Sequence, residues 1–506
     1  MKYNFNIIKK AVLGLVIASS MAGCDSVLEV TDDSIIGGSS FWKTEEDVKA
    51  ATMGLYTYLR SCDGQLFRLG ELRAETAGPN SRGAGGGLEM YYRNTLTPAT
   101  VDVNWHVFYS LINYANCVIN YGANVKFDIQ ANKDYYLAQA YISRAWAYFV
   151  MTRAWGDLII RTEPVEGNAP DLIYKKRSPK EEVMALIKSD VDKAIELFGT
   201  HESSTAVASG RIFWNKDAAL AVKADAYLWS AKVLGGGEAD LRTALAATQE
   251  IMNNAADHGL ELEGDYAKIF DYNNKFGWEL LFCINYQKNE AETNYFKDCW
   301  CHQGDVPVNI DEETDAILNP CNGQGIATPT ETLRNAFDAD DTRRAGTLFD
   351  VYAIEDDGTR TYNTSIVLKG KGMVENGRRF YMNHVILYRY ADVILMQAEA
   401  KNALGMDPTE EINMIRERAY GEKFEDHKFV AGSKEYNDEV ILDERLKEFS
   451  FECKRWFDLV RFDKVFDKVP SLKDKKGQDY LKWFPISLGT LSVEHLVEQN
   501  PGWSNY

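Results

Sequence analysis

The stretch "DYYLAQAYISRAWAYFVMTRAWGD" (residues 134–157) carries the longest helical pattern in the chain. Its apolar positions recur at helical spacing, at residues 137, 141, 145, 148 and 149. Small side chains at Ala140, Ala145 and Ala147 would let a neighbouring helix approach closely. The stretch therefore predicts a long helix that packs tightly against other helices.

Working outward from this stretch, the same arrangement occurs three times, with a long helix followed by a second one. The further helical patterns are "SPKEEVMALIKSDVDKAIELF" (178–198), "NKDAALAVKADAYLWSAKVLGG" (215–236), "EADLRTALAATQEIMNNA" (238–255), "HVILYRYADVILMQAEAKNALG" (384–405) and "TEEINMIRERA" (409–419). We expect helix pairs at about 134–198, 215–255 and 384–419. Pairs that bury a face only against their neighbours are typical of tetratricopeptide-like repeats. The alternative is a generic helical protein whose alanines merely suit helices.

Other regions are less regular. Residues 40–60 predict a first helix, and the Gly- and Asn-rich residues 76–104 predict a long loop. Residues 257–381 predict an irregular insert, with strands at "WELLFCINY" (278–286) and "TSIVLKGKGM" (364–373). The expected fold is mainly α, with a tetratricopeptide-like scaffold and a loop-rich subdomain containing a few short strands.

The N-terminus has the features of an export signal. Lys2, Lys9 and Lys10 precede an apolar run, and small residues follow it up to Gly23. Small residues directly before Cys24 resemble a bacterial lipobox, in which this cysteine is acylated. We therefore predict a lipoprotein signal peptide at 1–23, a lipidated tether at 24–40 and one domain at 41–506. The alternative is an ordinary signal peptide with an incidental cysteine.

Composition excludes several classes of function. The net charge of −19 would repel phosphate backbones, so a nucleic-acid partner is not expected. No common hydrolase or phosphate-binding motif occurs, and we predict neither a cofactor nor a metal site. The segment "CWCH" (299–302) lacks the spacing of zinc knuckles. The seven cysteines after Cys24 are expected to be mostly buried free thiols, with one oxidised pair among 283, 299, 301 and 321 left open.

Six stretches in the expected order resemble the SusD/RagB family of surface lipoproteins from Bacteroidetes nutrient-uptake systems. They are the lipobox with "FWKTEEDVKAATMGLYTYLR" (41–60), "RAWAYFVMTRAWGDLII" (144–160), "AFDADDTRR" (336–344), "YRYADVILMQAEAKN" (388–402), "ILDERLKEFSFECKRWFDLVRF" (441–462) and "FPIS…EQNPGW" (484–503). The resemblance implies a non-catalytic, surface-exposed outer-membrane protein that captures an oligo- or polysaccharide. It also implies delivery to a SusC-like TonB-dependent barrel, while some family members are linked to peptides.

The stretch 441–462 also places opposite charges three and four residues apart, at Glu444, Arg445, Glu448, Glu452, Arg455, Asp458 and Arg461. On a helix these charges would form a ladder whose pairs contribute ~0.2–0.5 kcal/mol each if exposed. Two carboxylates on one helix could also suggest a glycosidase pair. We favour a structural role, because the arginines suppress the raised pKa that a general acid needs. A lipid-anchored glycoside hydrolase and a scaffold that binds only proteins remain as alternatives.

The resemblance places the ligand site in two loop regions, 78–94 and 287–305. The candidate residues in the first region are Asn80, Arg82, Tyr91 and Tyr92, and those in the second are Asn294, Tyr295 and Trp300. Sugars present apolar faces to aromatic rings and hydroxyl groups to polar side chains. Trp300 and Tyr295 are the favoured stacking residues, whereas Phe296 fits a packed core more readily.

Overall fold

A computed structural model describes residues 41–80, 83, 86–167, 169–199, 205 and 209–504. The chain divides into two units, Met1–Trp42 and Lys43–Tyr506. In the first unit only Phe41 and Trp42 are described, and their rings meet edge to face at 5.2 Å. The predicted signal peptide, Cys24 and the tether lie outside the described residues, so their boundaries stay predictions.

Helices dominate the second unit, and about 52% of the residues are helical. The first ten α-helices are α1 Glu45–Arg60, α2 Asp63–Gly70, α3 Glu89–Tyr92, α4 His106–Gly122, α5 Gln130–Trp155, α6 Pro170–Ile173, α7 Lys180–Phe198, α8 Lys216–Val233, α9 Gly237–Asn253 and α10 Phe296–Cys299. The next ten are α11 Glu312–Leu318, α12 Glu331–Arg334, α13 Arg343–Thr347, α14 Tyr390–Ala403, α15 Thr409–Tyr420, α16 Phe424–His427, α17 Lys434–Phe449, α18 Arg455–Arg461, α19 Val465–Lys468 and α20 Leu488–Val493. The predicted mainly α fold is confirmed.

Short strands form two-stranded antiparallel pairs. The strands are β1 Ala77–Gly78, β2 Leu280–Ile284, β3 Thr328–Pro329, β4 Leu348–Ile354, β5 Arg360–Val367, β6 Met373–Glu375, β7 Arg378–Phe380 and β8 Val385–Arg389. Within the described ranges, β1 pairs with β3, β2 with β8, β4 with β5 and β6 with β7. The strand predicted at 278–286 is therefore present as β2. The strand predicted at 364–373 is correct only for residues 364–367, which are the last residues of β5.

The long helices pack as the repeat pattern predicts. Helices α5 and α7, α8 and α9, and α14 and α15 form three pairs, and contacts of α7 with α8 and of α9 with α14 join each pair to the next. The alanines at these contacts are buried, including Ala145, Ala219 and Ala398 at 0% exposure. Small side chains therefore let the helix backbones approach, as the sequence indicated.

Helix α4 is a core element that the sequence analysis did not identify. It packs against α1 and α5 and extends the helical array toward the N-terminus. Its buried residues include Phe108, Leu111, Ile112, Ala115 and Val118. These positions have helical spacing, so the signal was present in the sequence, directly after the predicted loop.

The helix predicted over 384–405 is wrong at its start. Residues Val385–Arg389 form β8, which pairs with β2, and α14 begins at Tyr390. All five side chains of β8 are buried. A short, wholly apolar run is compatible with a buried strand or a buried helix, and periodicity does not separate the two.

The charged ladder predicted over 441–462 is also corrected. Helix α17 ends at Phe449, and the chain turns through Phe451 and Cys453, whose φ values are 62° and 63°. The end of α2 lies against this turn, where a Cβ at Gly70 would be 1.8 Å from the Cys453 carbonyl oxygen. The charged side chains therefore do not form one exposed row, and they reach partners on other elements.

These partners form a buried ion network centred on Arg389. Its guanidinium contacts Glu448 at 2.6 Å and Glu452 at 3.0 Å, and it also pairs with Glu279. Each of these carboxylates is at most 4% exposed. Further ion pairs extend the network to Asp341, Arg343, Lys369, Arg416, Arg418 and Glu444. The network joins the insert, β8, α15 and α17.

The network lowers the pKa of Glu444, Glu448 and Glu452 and so favours their ionised form. Burial alone would raise the pKa of Glu452, but the charges of Arg389 and Lys369 outweigh burial and lower it to about 2. The pKa of Glu448 is also lowered, since Arg418 and Arg389 outweigh its burial. Glu399 lies in a neighbouring cluster, where Arg461 and Lys232 overcome burial and lower its pKa to about 2.

Replacing Arg389 with Met should destabilise the protein strongly. The change leaves Glu279, Glu448 and Glu452 short of a positive charge in a buried site, which costs about 3–5 kcal/mol. The matched control is Arg360→Met, because Arg360 pairs with Asp311 at the surface and such pairs contribute at most about 1 kcal/mol. Urea unfolding measures the free energy of unfolding of both variants. An equal decrease in the two would contradict a central role for Arg389.

The protein should also lose stability in acid over a defined pH range. Glu399 and Glu452 have folded pKa values of about 2 against 4.5 in the unfolded chain, so their contribution is complete above pH 4.5 and declines toward pH 2. Glu71 acts oppositely, because burial raises its pKa to about 7 and costs stability as pH rises from 4.5 to 7. Thermal melts between pH 7 and 2 should show the acid loss, and Glu452→Gln should make it shallower. A profile of Glu452→Gln identical to that of the unmodified protein would count against this assignment.

Candidate functional site

Exposed aromatic rings mark one surface of the insert, at "YNNKFGW" (272–278). The side chains of Phe276 and Trp278 are 55% and 54% exposed, and Tyr272 is half-buried. The segment lies immediately before β2. We call this patch the aromatic–amide surface and define it by Tyr272, Asn273, Asn274, Lys275, Phe276, Trp278, Asn285 and Gln287.

Two local features direct these rings outward. The Asp271 carboxylate accepts a hydrogen bond from Asn273 N at 2.8 Å and begins a single 3-10 turn over Tyr272–Asn274. Gly277 then closes a turn by donating its N–H to Asn274 O at 3.0 Å, and a Cβ at Gly277 would lie 2.8 Å from the Asn274 side-chain nitrogen. The small residue thus allows the tight turn between the two exposed rings.

The buried ion network fixes the backbone next to this surface. Trp278 directly precedes Glu279, whose carboxylate pairs with Arg389 and Arg418 and whose carbonyl accepts from Tyr390 N at 2.7 Å. The Arg211 guanidinium lies 5.8 Å from the centroid of the Trp278 ring. The backbone that carries the exposed tryptophan is therefore held by buried charges.

Side-chain amides border a cleft of about 380 Å³ beside Phe276 and Tyr272. Asn273 is exposed and Asn285 half-buried, and neither side chain has a hydrogen-bond partner among the residues that the structure describes. Asn274 donates to Glu263 at 3.0 Å, and Gln287 donates to Glu290. An amide supplies both donors and an acceptor, so Asn273 and Asn285 can bond hydroxyl groups of a ligand.

Burial lowers the pKa of the two basic groups at this surface, Lys275 and His384. Burial lowers the pKa of Lys275 to about 8, and its ammonium donates to Tyr286 O and lies 4.8 Å from the Tyr272 ring centroid. Burial also lowers the pKa of His384 to about 3, so this imidazole is neutral. The Phe276 ring packs edge to face on it at 5.4 Å. Of these two groups only Lys275 carries a charge at neutral pH, and its ammonium is bonded to a backbone carbonyl.

The structure places the two predicted loop regions next to each other at one point. Asn80, which is 5% exposed, donates to Asp305 at 3.2 Å. Nearby, the Tyr92 hydroxyl donates to Ile326 O at 2.6 Å, and its side chain is half-buried. Arg82 lies outside the described residues. Asn80 and Tyr92 therefore contact residues of the segment after Trp300, at Asp305 and Ile326, and their ligand-binding roles stay predictions.

The favoured stacking residues, however, have no open ring face. Trp300 is 1% exposed, donates its Nε1–H to Leu318 O at 3.2 Å and has the Arg379 guanidinium 4.1 Å from its ring centroid. Tyr295 is 5% exposed, stacks on Phe67 at 4.5 Å and donates to Phe451 O. The expectation of accessible rings is wrong here, because residues distant in sequence cover them: Leu318, Val351 and Ile366 pack around Trp300, and Phe67 stacks on Tyr295.

Two other candidates are buried as well. Asn294 donates to Asn383 O at 2.7 Å and accepts from Phe296 N, so its amide fixes the backbone at the start of α10. Tyr91 is 0% exposed and its hydroxyl bonds Asp102. Phe296 is buried, as expected of a core residue. The ligand-binding roles of the predicted residues stay predictions, and the structure gives those described here packing roles.

A larger groove of about 790 Å³ lies between the start of α4, residues 161–173 and α20. Its polar walls are mostly engaged within the protein. Arg161 donates to Leu172 O at 2.7 Å, and Tyr109 donates to Ile159 O at 2.8 Å. Leu488 and Val493 are 51% and 61% exposed at its edge. The groove is therefore mainly an apolar surface.

Two further features bear on the chemistry. Across the described part of the chain, no group of three or more His, Cys, Asp or Glu side chains is arranged to hold a metal ion. No helix in that part has both the length and the apolar character needed to cross a membrane.

Comparison with known proteins gives two family matches at opposite ends of the chain. A family model described as "SusD family" matches residues 353–503. A second, described as "Starch-binding associating with outer membrane", matches residues 27–228. The first contains β8, α14, α17 and much of the ion network, and the second contains α1 to α7 and part of α8.

Individual relatives match over nearly the whole chain. "SusD-like protein P2" of Formosa agariphila is 27% identical, over 98% of this chain and all of its own length. The structure of NanU from B. fragilis is 32% identical, with a TM-score of 0.79 over 93% of this chain and all of its own. A SusD superfamily structure from Bacteroides vulgatus is 30% identical, with a TM-score of 0.81 over 91% of this chain and all of its own. The chain belongs to the SusD family.

Proposed function

We propose that this protein is a non-catalytic, surface-exposed carbohydrate-binding protein of the outer membrane. The observation that carries the proposal is the aromatic–amide surface, where two exposed rings lie beside a cleft bordered by side-chain amides. Rings of this kind contact the C–H faces of sugars, and amides bond the hydroxyl groups at the rim. The "Starch-binding associating with outer membrane" description of the matching family supports the same ligand class.

The ion network argues against the alternative of a glycoside hydrolase at 441–462. A general acid must hold a proton near neutral pH, so its pKa has to be raised. Glu444, Glu448 and Glu452 have lowered pKa values because Arg343, Arg389, Arg418 and their neighbours outweigh burial. These carboxylates are also buried away from solvent and have no room for a sugar.

A peptide ligand is the second candidate, and the groove beside α20 favours it. Its free walls are largely apolar and its volume of about 790 Å³ lies within the range of ligand sites. A peptide can fill such a groove with apolar side chains, whereas a neutral glycan would leave its hydroxyl groups without partners there. The two candidates thus predict different sites on the same protein.

We further propose that Cys24 anchors the protein by acyl chains and that it delivers its ligand to a SusC-like TonB-dependent barrel. Each buried methylene contributes about 0.8 kcal/mol, so several chains on one residue hold a protein firmly at a membrane. The support is the lipobox-like sequence before Cys24 and the membership in the SusD family.

Removing the exposed rings should weaken glycan binding. Affinity electrophoresis against a panel of soluble polysaccharides that includes starch identifies a ligand, and calorimetry then measures Kd. Trp278→Ala and Phe276→Ala should each cost about 1–3 kcal/mol, by analogy with the stacking of bases on aromatic side chains, which is roughly ten-fold or more in Kd.

Three controls separate the possible sites. Tyr436→Ala removes an aromatic ring that is 52% exposed elsewhere and should leave Kd unchanged. Trp300→Ala should lower thermal stability, and a loss of affinity with folding intact would instead restore the predicted two-loop site. Val493→Asp should abolish binding only if the ligand occupies the groove. Unchanged affinity in both Trp278→Ala and Phe276→Ala would refute the aromatic–amide surface as the binding site.

A gentle detergent extract of native membranes tests the anchor and the partner. We expect the tagged protein to retain a TonB-dependent barrel during purification, and mass spectrometry of its N-terminal peptide to show acyl chains on Cys24. The Cys24→Ala variant should leave the membrane fraction. Recovery of the protein without any barrel would speak against delivery, and an unmodified Cys24 in membrane-bound protein would exclude the lipid anchor.

A further inference from the structure

Two cysteines meet where residues 300–325 fold back on themselves. His302 and Asn322 form an antiparallel bridge, and Gly323 N donates to Cys301 O at 3.0 Å. In this antiparallel pairing Cys301 lies opposite Gly323, so Cys321 is its diagonal neighbour on the same face, and both cysteines belong to one buried cluster. Their two thiols are close enough to interact, and the Cys321 thiol also donates to Leu318 O at 3.5 Å. Twenty residues separate them in sequence, so their proximity comes from the fold.

The pair lies in a small apolar core of its own. Cys301 and Cys321 are 2% and 6% exposed and pack among Trp300, Leu318, Val351, Ile366 and Tyr381. This cluster holds the insert's segment 300–321 against the β4–β5 pair. A covalent link at this point would be shielded from reductants once the segment has packed.

Other cysteines face backbone carbonyl groups. The Cys62 thiol bonds Tyr58 O, the Cys283 thiol bonds Arg211 O, and the Cys299 thiol bonds Tyr295 O. Each of these sulfurs is 0% or 1% exposed within the core. The Cys321 thiol likewise bonds a carbonyl, Leu318 O, so what sets Cys301 and Cys321 apart from these three cysteines is the contact between their own two thiols.

We propose that Cys301 and Cys321 form a disulfide bond in the exported protein. All seven cysteines from Cys62 to Cys453 are thiols in the structure, which corresponds to the reduced form. Disulfides form and persist in oxidising compartments outside the cytosol, and the predicted signal peptide would direct the chain there. The proposal therefore depends on export and not on the identity of the ligand.

The bond forms by two thiol–disulfide exchanges with an oxidised dithiol oxidoreductase. The Cys321 thiolate attacks one sulfur of the oxidant's disulfide, and a mixed disulfide forms as the oxidant's other sulfur leaves as a thiolate. The Cys301 thiolate then attacks Cys321 Sγ and releases the oxidant's remaining thiolate. The two protons lost by the cysteines end on the oxidant's sulfurs, and two electrons reduce its disulfide. Because both cysteines are buried, the first attack precedes the packing of this segment.

The bond would close a loop that contains the Gln303–Asp305 turn and α11. Closing a loop stabilises the fold chiefly by restricting the unfolded chain. Asp305, which bonds Asn80, lies inside this loop. The disulfide would thus fix the insert's side of the contact between the two predicted loop regions.

Cysteine labelling of the exported full-length protein tests the proposal directly. Cells are quenched in acid, and the protein is denatured with iodoacetamide without a reductant and mapped by mass spectrometry. We expect five of the seven cysteines from Cys62 to Cys453 to be alkylated, together with a peptide that links Cys301 to Cys321. Prior reduction should give seven alkylated cysteines. Alkylation of all seven cysteines without reduction would overturn the proposal, and so would a link between other cysteines such as Cys299 and Cys453.

Matched variants give a second, thermodynamic test. In Cys301→Ala, Cys321 should become available for alkylation, whereas Cys299→Ala removes an equally buried thiol and should leave the link intact. Cys301→Ala, Cys321→Ala and the double variant should all lower Tm by the same few degrees, because each loses the same single bond. The reductant should then have no further effect on their Tm. A Tm of the unmodified protein that reductant leaves unchanged would contradict a stabilising bond.

Discussion

The salt bridges that Arg389 makes with Glu279, Glu448 and Glu452 join the insert and β8 to the C-terminal part of the chain. Transferring an ion from water into a protein costs several kcal/mol, so each of these charges is tolerated only with its partners in place. An arrangement that separates them would leave a buried charge unpaired. The network therefore specifies one position of the insert on the helical scaffold and penalises the alternatives.

The aromatic–amide surface depends on this constraint. Trp278 is exposed, yet its neighbour Glu279 is locked into the network and the strand that follows pairs with β8. A ring presented on a fixed backbone loses less conformational freedom on binding than one on a loose loop. The buried Glu279, which stabilises the fold, and the exposed Trp278, which we propose contacts the ligand, are thus consecutive residues.

Much of the scaffold could be predicted from the sequence, because helix pairs repeat a local signal. Apolar spacing and small residues located the three pairs, whereas the apolar run of β8 lacks a period that separates strand from helix. The partners of the charged residues in 441–462 were harder to predict, because they are distant in sequence. Arg389 lies 59 residues from Glu448 and 110 residues from Glu279. At the candidate site, local composition could not show that Leu318 and Arg379 cover Trp300. The stretch "YNNKFGW" did interleave aromatic and amide residues before a predicted strand, and that signal was available.

The position of the network in the chain also determines when the fold can be completed. Synthesis delivers the chain from its N-terminus, and early segments begin to fold first. Helices α4 to α9 can pack together as they emerge, but Arg343, Lys369 and Arg389 must wait for Glu448 and Glu452. Until Glu448 and Glu452 have been synthesised, these cations are more stable in water than buried, and the insert cannot dock in its final position. The molecule would therefore remain an open helical array through most of its synthesis and close around its charges at the end.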